Sequence, residues 1–350
     1  MAVWSTCKQS EILSSSRMEA EYYRPNFIQM ENLLSDLDAR QLRNYLDFVR
    51  CGPFGSTITC DTYLNDGVVV ARPFNIDGMA FRYENLAFIS YVDVKKKGLY
   101  LYRGGDIFFS RVGDIRVGYL ATNDKYPHVT ISPNIISTRI RNGSLQSEYL
   151  TVFLNTKYGQ QQIERGLKVV AQPTISTSLV SKIKVFIPDK IDEQKIARLF
   201  LSSLDSYEKS KKYYTQAQYL LESELGLDTL QFKKPVGYTA RFSDLEQSRR
   251  ADPEHFYPEF QNFMSNLPHA IKFVPLGPQL DFCQRGKQPV YSDCGLPVIN
   301  SKHVQQNKVL LEDNRNAVPG GENALLIRYG DTLINGTGRG TLGRSAPYLI

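Results

Sequence analysis

Two glycine-rich runs flanked by arginine are the most chemically suggestive feature of the sequence. Gly113-Asp114-Ile115-Arg116-Val117-Gly118 follows Ser110 and Arg111, and Gly338-Arg339-Gly340-Thr341-Leu342-Gly343 follows Asn335 and precedes Arg344. Glycine lets a backbone turn tightly, and a turn carrying guanidinium groups can approach a phosphate or a nucleic-acid groove. The same arginines could equally be solvated turn residues. The second run spells G-x-G-x-x-G, but its counterpart lacks the middle glycine and no Lys-Ser or Lys-Thr follows, so neither a dinucleotide fingerprint nor a P-loop is expected. Lys95-Lys96-Lys97 before Gly98 is either a phosphate-binding loop or a solvated turn. Lys287, Lys302 and His303 stand in the corresponding early strands of the second half, with Arg72 their counterpart in the first.

Catalytic chemistry is not signalled. Asp189 with Glu193-Gln194-Lys195 imitates a nuclease metal core, yet its acids are too close to come from adjacent strands, and the second part opens a helix. There is no Asn-Pro-Pro-aromatic or Asp-Pro-Pro-aromatic tetrapeptide and no Gly-x-Ser-x-Gly elbow. The four histidines are isolated, and the five cysteines are spread without a C-x-x-C pair, so no metal site is expected and the thiols read as reduced and structural.

These residues sit in a chain that repeats itself. Arg17 to Phe27 aligns on Arg250 to Phe260 at an offset of 233 residues, Tyr63 to Arg72 on the stretch from Tyr291 at 228, and Gly105 to Gly118 on Gly330 to Gly343 at 225. Drifting offsets are what loop insertions and deletions between two copies produce. Each copy reads as mostly β with flanking helices: strands near Gly67–Ala71, Leu86–Val92, Asp106–Phe109 and Ile183–Ile187, and helices near Phe27–Leu37, Ser147–Asn155 and Gly159–Arg165. The expected class is α+β, with one copy over 1–188, a spacer helix over 189–226, a linker over 227–240 and a second copy over 241–350. The first copy continues for seventy residues after Gly118, so the second is expected to be incomplete.

Between the copies, no Pro or Gly occurs from Asp192 until Gly226, and a seam of Ala197, Phe200, Leu204, Tyr207, Lys211, Tyr214, Gln218, Leu221 and Leu225 alternates three- and four-residue steps. That is coiled-coil spacing, and it predicts a helix of roughly 32 residues, about 48 Å long. Asp189 or Asp192 suits its N-cap and Gly226 its stop. Such a stripe needs something to cover it, and a partner helix is expected. The 350 residues are 42% hydrophobic with a net charge of +6 and pI of about 8.9. They contain no run apolar enough to span a bilayer and no leader-like amino terminus, so a cytoplasmic protein with a mild preference for polyanions is expected.

The chain resembles the specificity subunits of type I restriction-modification systems. The resemblance rests on the Arg17 to Phe27 opening, the Cys51 to Ser56 turn before a Gly-plus-apolar strand, the Gly330-Asp331 to Leu342-Gly343 run, and Ile187-Pro188-Asp189 leading through Glu193-Gln194 to Ile196-Ala197. It implies two target-recognition domains, each reading half of a bipartite double-stranded DNA site. It implies helices that set the spacer and dock two modification (methyltransferase) subunits, with restriction/translocase subunits joining through the complex. Chemistry would then lie outside this non-catalytic chain, with S-adenosylmethionine, ATP and Mg used by the partners. Candidate DNA contacts are Arg72, Lys95, Lys96, Lys97, Ser110, Arg111, Arg116, Lys287, Lys302, His303, Asn335, Arg339 and Arg344. The recognition region of a fused restriction-modification enzyme and a protein-binding pair of domains are the alternatives.

Overall fold

Short apolar runs closed by Gly, Pro, Asn or Ser become strands, and the longer polar-faced runs become the helices packed over them. The computed structural model describes residues 4–167, 173–229, 237–259, 263, 274–320, 325–338 and 340–350. The chain divides into two units, Met1–Glu224 and Leu225–Ile350. In the first, helices α1 (Gln9–Ser15) and α2 (Pro25–Asp36) precede strands β1 (Arg40–Gln41), β2 (Leu46–Cys51), β3 (Val68–Ala71), β4 (Ile76–Asp77), β5 (Ala80–Phe81) and β6 (Ala87–Ile89). Helix α3 (Tyr91–Lys96) leads to β7 (Ile107–Ser110), β8 (Val117–Tyr119), β9 (Val129–Ile131) and β10 (Ile135–Ile140). Then come α4 (Ser147–Asn155), α5 (Lys157–Gly166), α6 (Thr177–Lys182), β11 (Lys184–Val185) and α7 (Lys190–Glu224).

A six-stranded sheet of order β2-β10-β7-β8-β5-β4 lies between two other layers. Alternation along β7 places the side chains: Ile107 and Phe109 join Met30, Leu150, Phe153 and Val180 under the helices. Phe108 points the other way, against Val69, Ala71, Phe88 and Val129 of a three-stranded sheet, β6-β3-β9. All four β7 residues are buried, as expected for a strand covered on both faces. Val68, Val70 and Ile89, on the outer face of the smaller sheet, pack with Val94 of α3. The expected strand Leu86–Val92 therefore stops at Ile89. Ser90 Oγ accepts the Asp93 N–H at 2.9 Å and caps a helix, so Tyr91 and Val92 turn outward to solvent.

Helix α7 has 35 residues, about 52 Å. Asp189 Oδ1 accepts the N–H groups of Ile191 and Asp192, each at 2.9 Å, and Gly226 follows in the left-handed conformation at φ 66°. The partner-helix expectation needs correction along the first half of the seam. Ala197 and Phe200 are buried, Phe200 meets Tyr119 edge-on at 5.6 Å, and the buried Glu193 accepts the Gln146 N–H at 2.6 Å. The Arg82 guanidinium lies 3.8 Å over the Tyr207 ring, and Lys211 pairs with Glu84. Leu204 is half-buried in the same stretch. This half covers the helix's own domain, where β8 and α4 supply the apolar surface. Beyond Lys211 the seam opens: Tyr214 and Leu221 are exposed, as are Tyr213, Tyr219 and Leu220, while Leu225 is half-buried in the second unit.

The second unit contains α8 (Phe242–Ser248), β12 (Tyr291–Ser292), β13 (Leu296–Pro297), β14 (Val304–Gln305), β15 (Lys308–Val309), β16 (Asn316–Ala317), β17 (Thr332–Ile334) and β18 (Ser345–Pro347). Its pairings reproduce those of the first unit. Val68 opposes Ile89 as Leu296 opposes Ala317. The glycine before each strand, Gly67 at φ 133° and Gly295 at φ 137°, sits so close to the facing carbonyl (Ile89 or Ala317) that a Cβ would lie 2.5 or 2.2 Å from its oxygen. The β4–β5 hairpin, with Ile76 opposite Phe81, matches β14–β15, with Val304 opposite Val309, and Met79 and Asn307 share a positive φ. The β7–β8 ladder recurs as β17–β18. The fold is thus α+β, with two similar domains and a long helix between them in sequence.

Candidate nucleic-acid interface

The three arginines expected in the first domain converge on one end of its sheets. Arg72 follows the last residue of β3, whose Ala71 carbonyl accepts the Ser132 N–H at 2.9 Å, and Arg111 follows β7, its N–H donating to Asn134 O at 2.8 Å. The Arg111 guanidinium reaches Pro133 O at 3.4 Å. Arg116, just before β8, donates from Nη1 to Ile76 O at 3.3 Å, beside the turn in which the Asn75 N–H donates to Arg72 O at 2.8 Å. The Cys51–Ser56 turn closes the same end. Gly52 donates to Ile135 O, and a Cβ there would meet Ser132 O at 2.0 Å, so only glycine fits this approach.

Exposure and partners differ among the three. Arg116 is half exposed and pairs with Asp114 at 2.9 Å, a contact of little energetic weight at the surface. Arg72 is held more firmly: Nη2 donates to Asn85 O, and the guanidinium lies 5.9 Å over Tyr63 and 5.8 Å over Phe74. Ser110 is not exposed as a contact residue. It is buried, donates from Oγ to Asp114 O at 2.7 Å and accepts the Arg116 N–H at 2.6 Å, so it shapes the loop that carries the arginines.

The lysine triplet lies elsewhere. Lys95 and Lys96 occupy the last turn of α3, near the start of the β3–β6 ladder, and the expected loop is a helix terminus where cations compensate the carbonyl end of the dipole. Both are exposed, whereas Lys97 donates from Nζ to Thr57 O at 2.8 Å.

In the second unit Arg344 occupies the place of Arg116. The Ser110 N–H donates to Arg116 O at 2.9 Å, and the Asn335 N–H to Arg344 O at 2.8 Å. Arg344 Nη1 reaches across to the equivalent hairpin, donating to Gln305 Oε1 at 3.2 Å. The sequence alignment of Gly118 with Gly343 is corrected accordingly. Val117–Tyr119 matches Ser345–Pro347, and the loop before it is three residues longer in the second unit. Arg111 thus has Gly336 as counterpart, and Arg339 lies outside the described residues.

His303 and Asn335 are buried and serve the scaffold. Asn335 Nδ2 donates to Ser301 O at 2.9 Å. His303 stands where Asn75 stands in the first unit: Nδ1 accepts the Asn300 N–H at 3.1 Å, as Asn75 Oδ1 accepts that of Arg72 at 3.2 Å. Burial lowers the His303 pKa, Lys302 lowers it further, and Asp313 opposes them. Lys287 and Lys302 are exposed.

Sequence reasoning missed Asp106, Arg139 and Arg50. Asp106 is buried and clamps Arg139 through two bonds of 2.7 Å, which raises the Arg139 pKa above its ordinary value. Arg139 Nη1 donates to Tyr100 Oη at 3.0 Å, and the exposed Arg50 stacks 4.1 Å from the Tyr100 ring centre. The Gly-Asp dipeptide shared by both copies was the available signal for Asp106. Arg50 and Arg139 lie on neighbouring strands with no sequence spacing to link them. The five thiols are unpaired, and four are exposed instead of lining a core. Among the described residues no three His, Cys, Asp or Glu side chains gather where they could hold a metal ion.

Fold and site define a class: a mixed α+β protein with two like domains, each presenting an arginine at the same loop, and a long helix after the first. Residues 53–215, from the Pro53 turn well into α7, match the family model of the type I restriction modification DNA specificity domain. Solved chains similar to this one include the HsdS subunit from Thermoanaerobacter tengcongensis, 15% identical, with 60% of this chain and 49% of that chain covered and a TM-score of 0.33. Another is the S subunit of a type I restriction-modification system from M. genitalium, 16% identical, 56% and 48% covered, TM-score 0.35. The type IIG restriction endonuclease BpuSI is 11% identical, 55% and 30% covered, TM-score 0.36. The chain spans about half the length of the two specificity subunits. No curated protein matches it.

Proposed function

We propose that this protein reads a bipartite double-stranded DNA target for a type I restriction-modification complex. One half-site falls to the target-recognition domain in 1–188, the other to the domain in 241–350. The observation that carries the reading is the DNA specificity domain at 53–215, whose strand pairings recur in the second unit. The helix 189–226 and the linker 227–240 set the spacer. The exposed face of α7 beyond Lys211 docks two modification subunits, through which restriction/translocase subunits join. The chain itself is non-catalytic: S-adenosylmethionine, ATP and Mg serve the partner subunits, in the cytoplasm. No helix among the described residues is long and apolar enough to cross a membrane.

The test uses the chain assembled with its modification subunits and fluorescent duplexes taken from sites that the complex methylates. A duplex with both half-sites should bind about a thousandfold more tightly than a scrambled one at physiological salt. A duplex with one half-site should fall between them. Equal affinity for all three would refute the reading.

A further inference from the structure

We infer that Arg116 and Arg344 are paired backbone anchors, each gripping a phosphate of its own half-site without reading a base. The inference rests on the DNA-reading function proposed above and assigns a role within it.

Four observations carry it. The two arginines are structural equivalents, since each backbone carbonyl accepts the N–H of a matching residue at the end of the preceding strand, Ser110 as the last residue of β7 and Asn335 just after β17. Ser110 and Asn335 are both buried, so the arginine backbone is held in the same way twice. Each guanidinium leans on the same hairpin, Arg116 on Ile76 O and Arg344 on Gln305 Oε1. Finally, most of the five N–H donors of each guanidinium are uncommitted among the described residues. The Asp114 partner of Arg116 is itself largely exposed, so a phosphate can displace it.

The argument for phosphate over base comes from what the two units share and what they do not. Domains that read different half-sites must differ at the base-reading positions, while a contact to the uniform sugar-phosphate chain can stay the same. The loop between Ser110 and Arg116 has five residues, Arg111 to Ile115, and its counterpart between Asn335 and Arg344 has eight. The two loops share little sequence, but the arginine that ends each keeps its place. Arg111, whose counterpart is Gly336, belongs to the variable part and is not an anchor of this kind.

The experiment measures binding by the assembled complex with Arg116→Ala, Arg344→Ala and the double variant, across 50 to 200 mM salt, on duplexes from its methylated sites and on scrambled duplexes. Each single variant should lower the slope of log affinity against log salt by about 0.9, and the double by about 1.8. The loss should be parallel on both kinds of duplex. Arg116→Lys and Arg344→Lys should keep the slope, since a point charge suffices for a phosphate, and their near-native circular dichroism would separate contact from folding. Unchanged slopes in both alanine variants, or a loss confined to duplexes with one particular base pair, would overturn the assignment while the function stands. If the unaltered complex does not distinguish its methylated sites from scrambled duplex, function and assignment fall together.

Discussion

The Gly-Asp dipeptide repeats in both units, but the structure gives its two aspartates very different surroundings. Asp106 is 1% exposed and Arg139 is 18% exposed. Oδ1 and Oδ2 each accept an Arg139 N–H at 2.7 Å, and Oδ2 also accepts the Arg103 N–H at 2.9 Å. Asp106→Ala removes all three bonds and strands a guanidinium wedged beside Phe48, whose ring centre lies 5.0 Å away. Breaking a buried pair by deleting one partner costs about 3 to 5 kcal/mol. The partial exposure of Arg139 places this case at the low end, about 3 kcal/mol. Among the described residues the Asp331 side chain keeps only the local bond, accepting the Arg328 N–H at 2.8 Å, so Asp331→Ala should cost about 1 kcal/mol. Native-state hydrogen exchange resolves the two. Amides of β7 and β10 should exchange about a hundredfold faster in Asp106→Ala, and those of β17 less than tenfold faster in Asp331→Ala. Equal losses in the two variants would refute the reasoning, because they would mean that the clamp on Arg139 adds nothing beyond the shared turn.

Phe200→Ala should destabilise the first domain by about 3 kcal/mol in urea unfolding, because the ring is buried against Tyr119. Leu221→Ala should leave the chain within about 0.5 kcal/mol and weaken capture of modification subunits in size-exclusion chromatography. Because burial lowers the His303 pKa below its ordinary 6.5, the folded second unit resists the proton that the unfolded chain accepts. The stability this gives is full above pH 6.5 and declines as pH falls toward the depressed value. Exchange protection at β14 and β15 should drop over that window, and His303→Asn, which installs the side chain found at Asn75, should abolish the dependence.

Much of the scaffold was legible because local chemistry and tertiary structure agree there. Ser147–Asn155 is a helix over the expected residues, the Asp189 carboxylate caps the start of α7 and the left-handed backbone of Gly226 follows its end, and the strands in the duplicated runs do share a pairing pattern. The errors have physical causes. Leu86–Val92 is apolar except at Ser90, and a single serine inside an apolar run does not distinguish a strand position from the helix cap it forms here. The seam of α7 has uniform spacing, but whether a stripe meets its own domain or remains uncovered depends on β8 and α4, which lie far away in sequence. Ser110 and Asn335 are polar residues beside glycine-rich turns and His303 follows a polar Asn-Ser-Lys stretch, where exposure is the natural expectation, yet the backbone needs their hydrogen bonds inside. Matching Gly118 to Gly343 followed residue identity, whereas the ladder pairs β18 three residues further on.

The most direct measurement is a map of methylated adenines and cytosines in genomic DNA from cells carrying this protein with its modification subunits. Two specific half-sites separated by a fixed run of unspecified bases would agree with two readers set apart by a helix. The gap should change in length when one turn of α7 is deleted beyond Lys211. A continuous motif, or a gap unaffected by that deletion, would contradict the account.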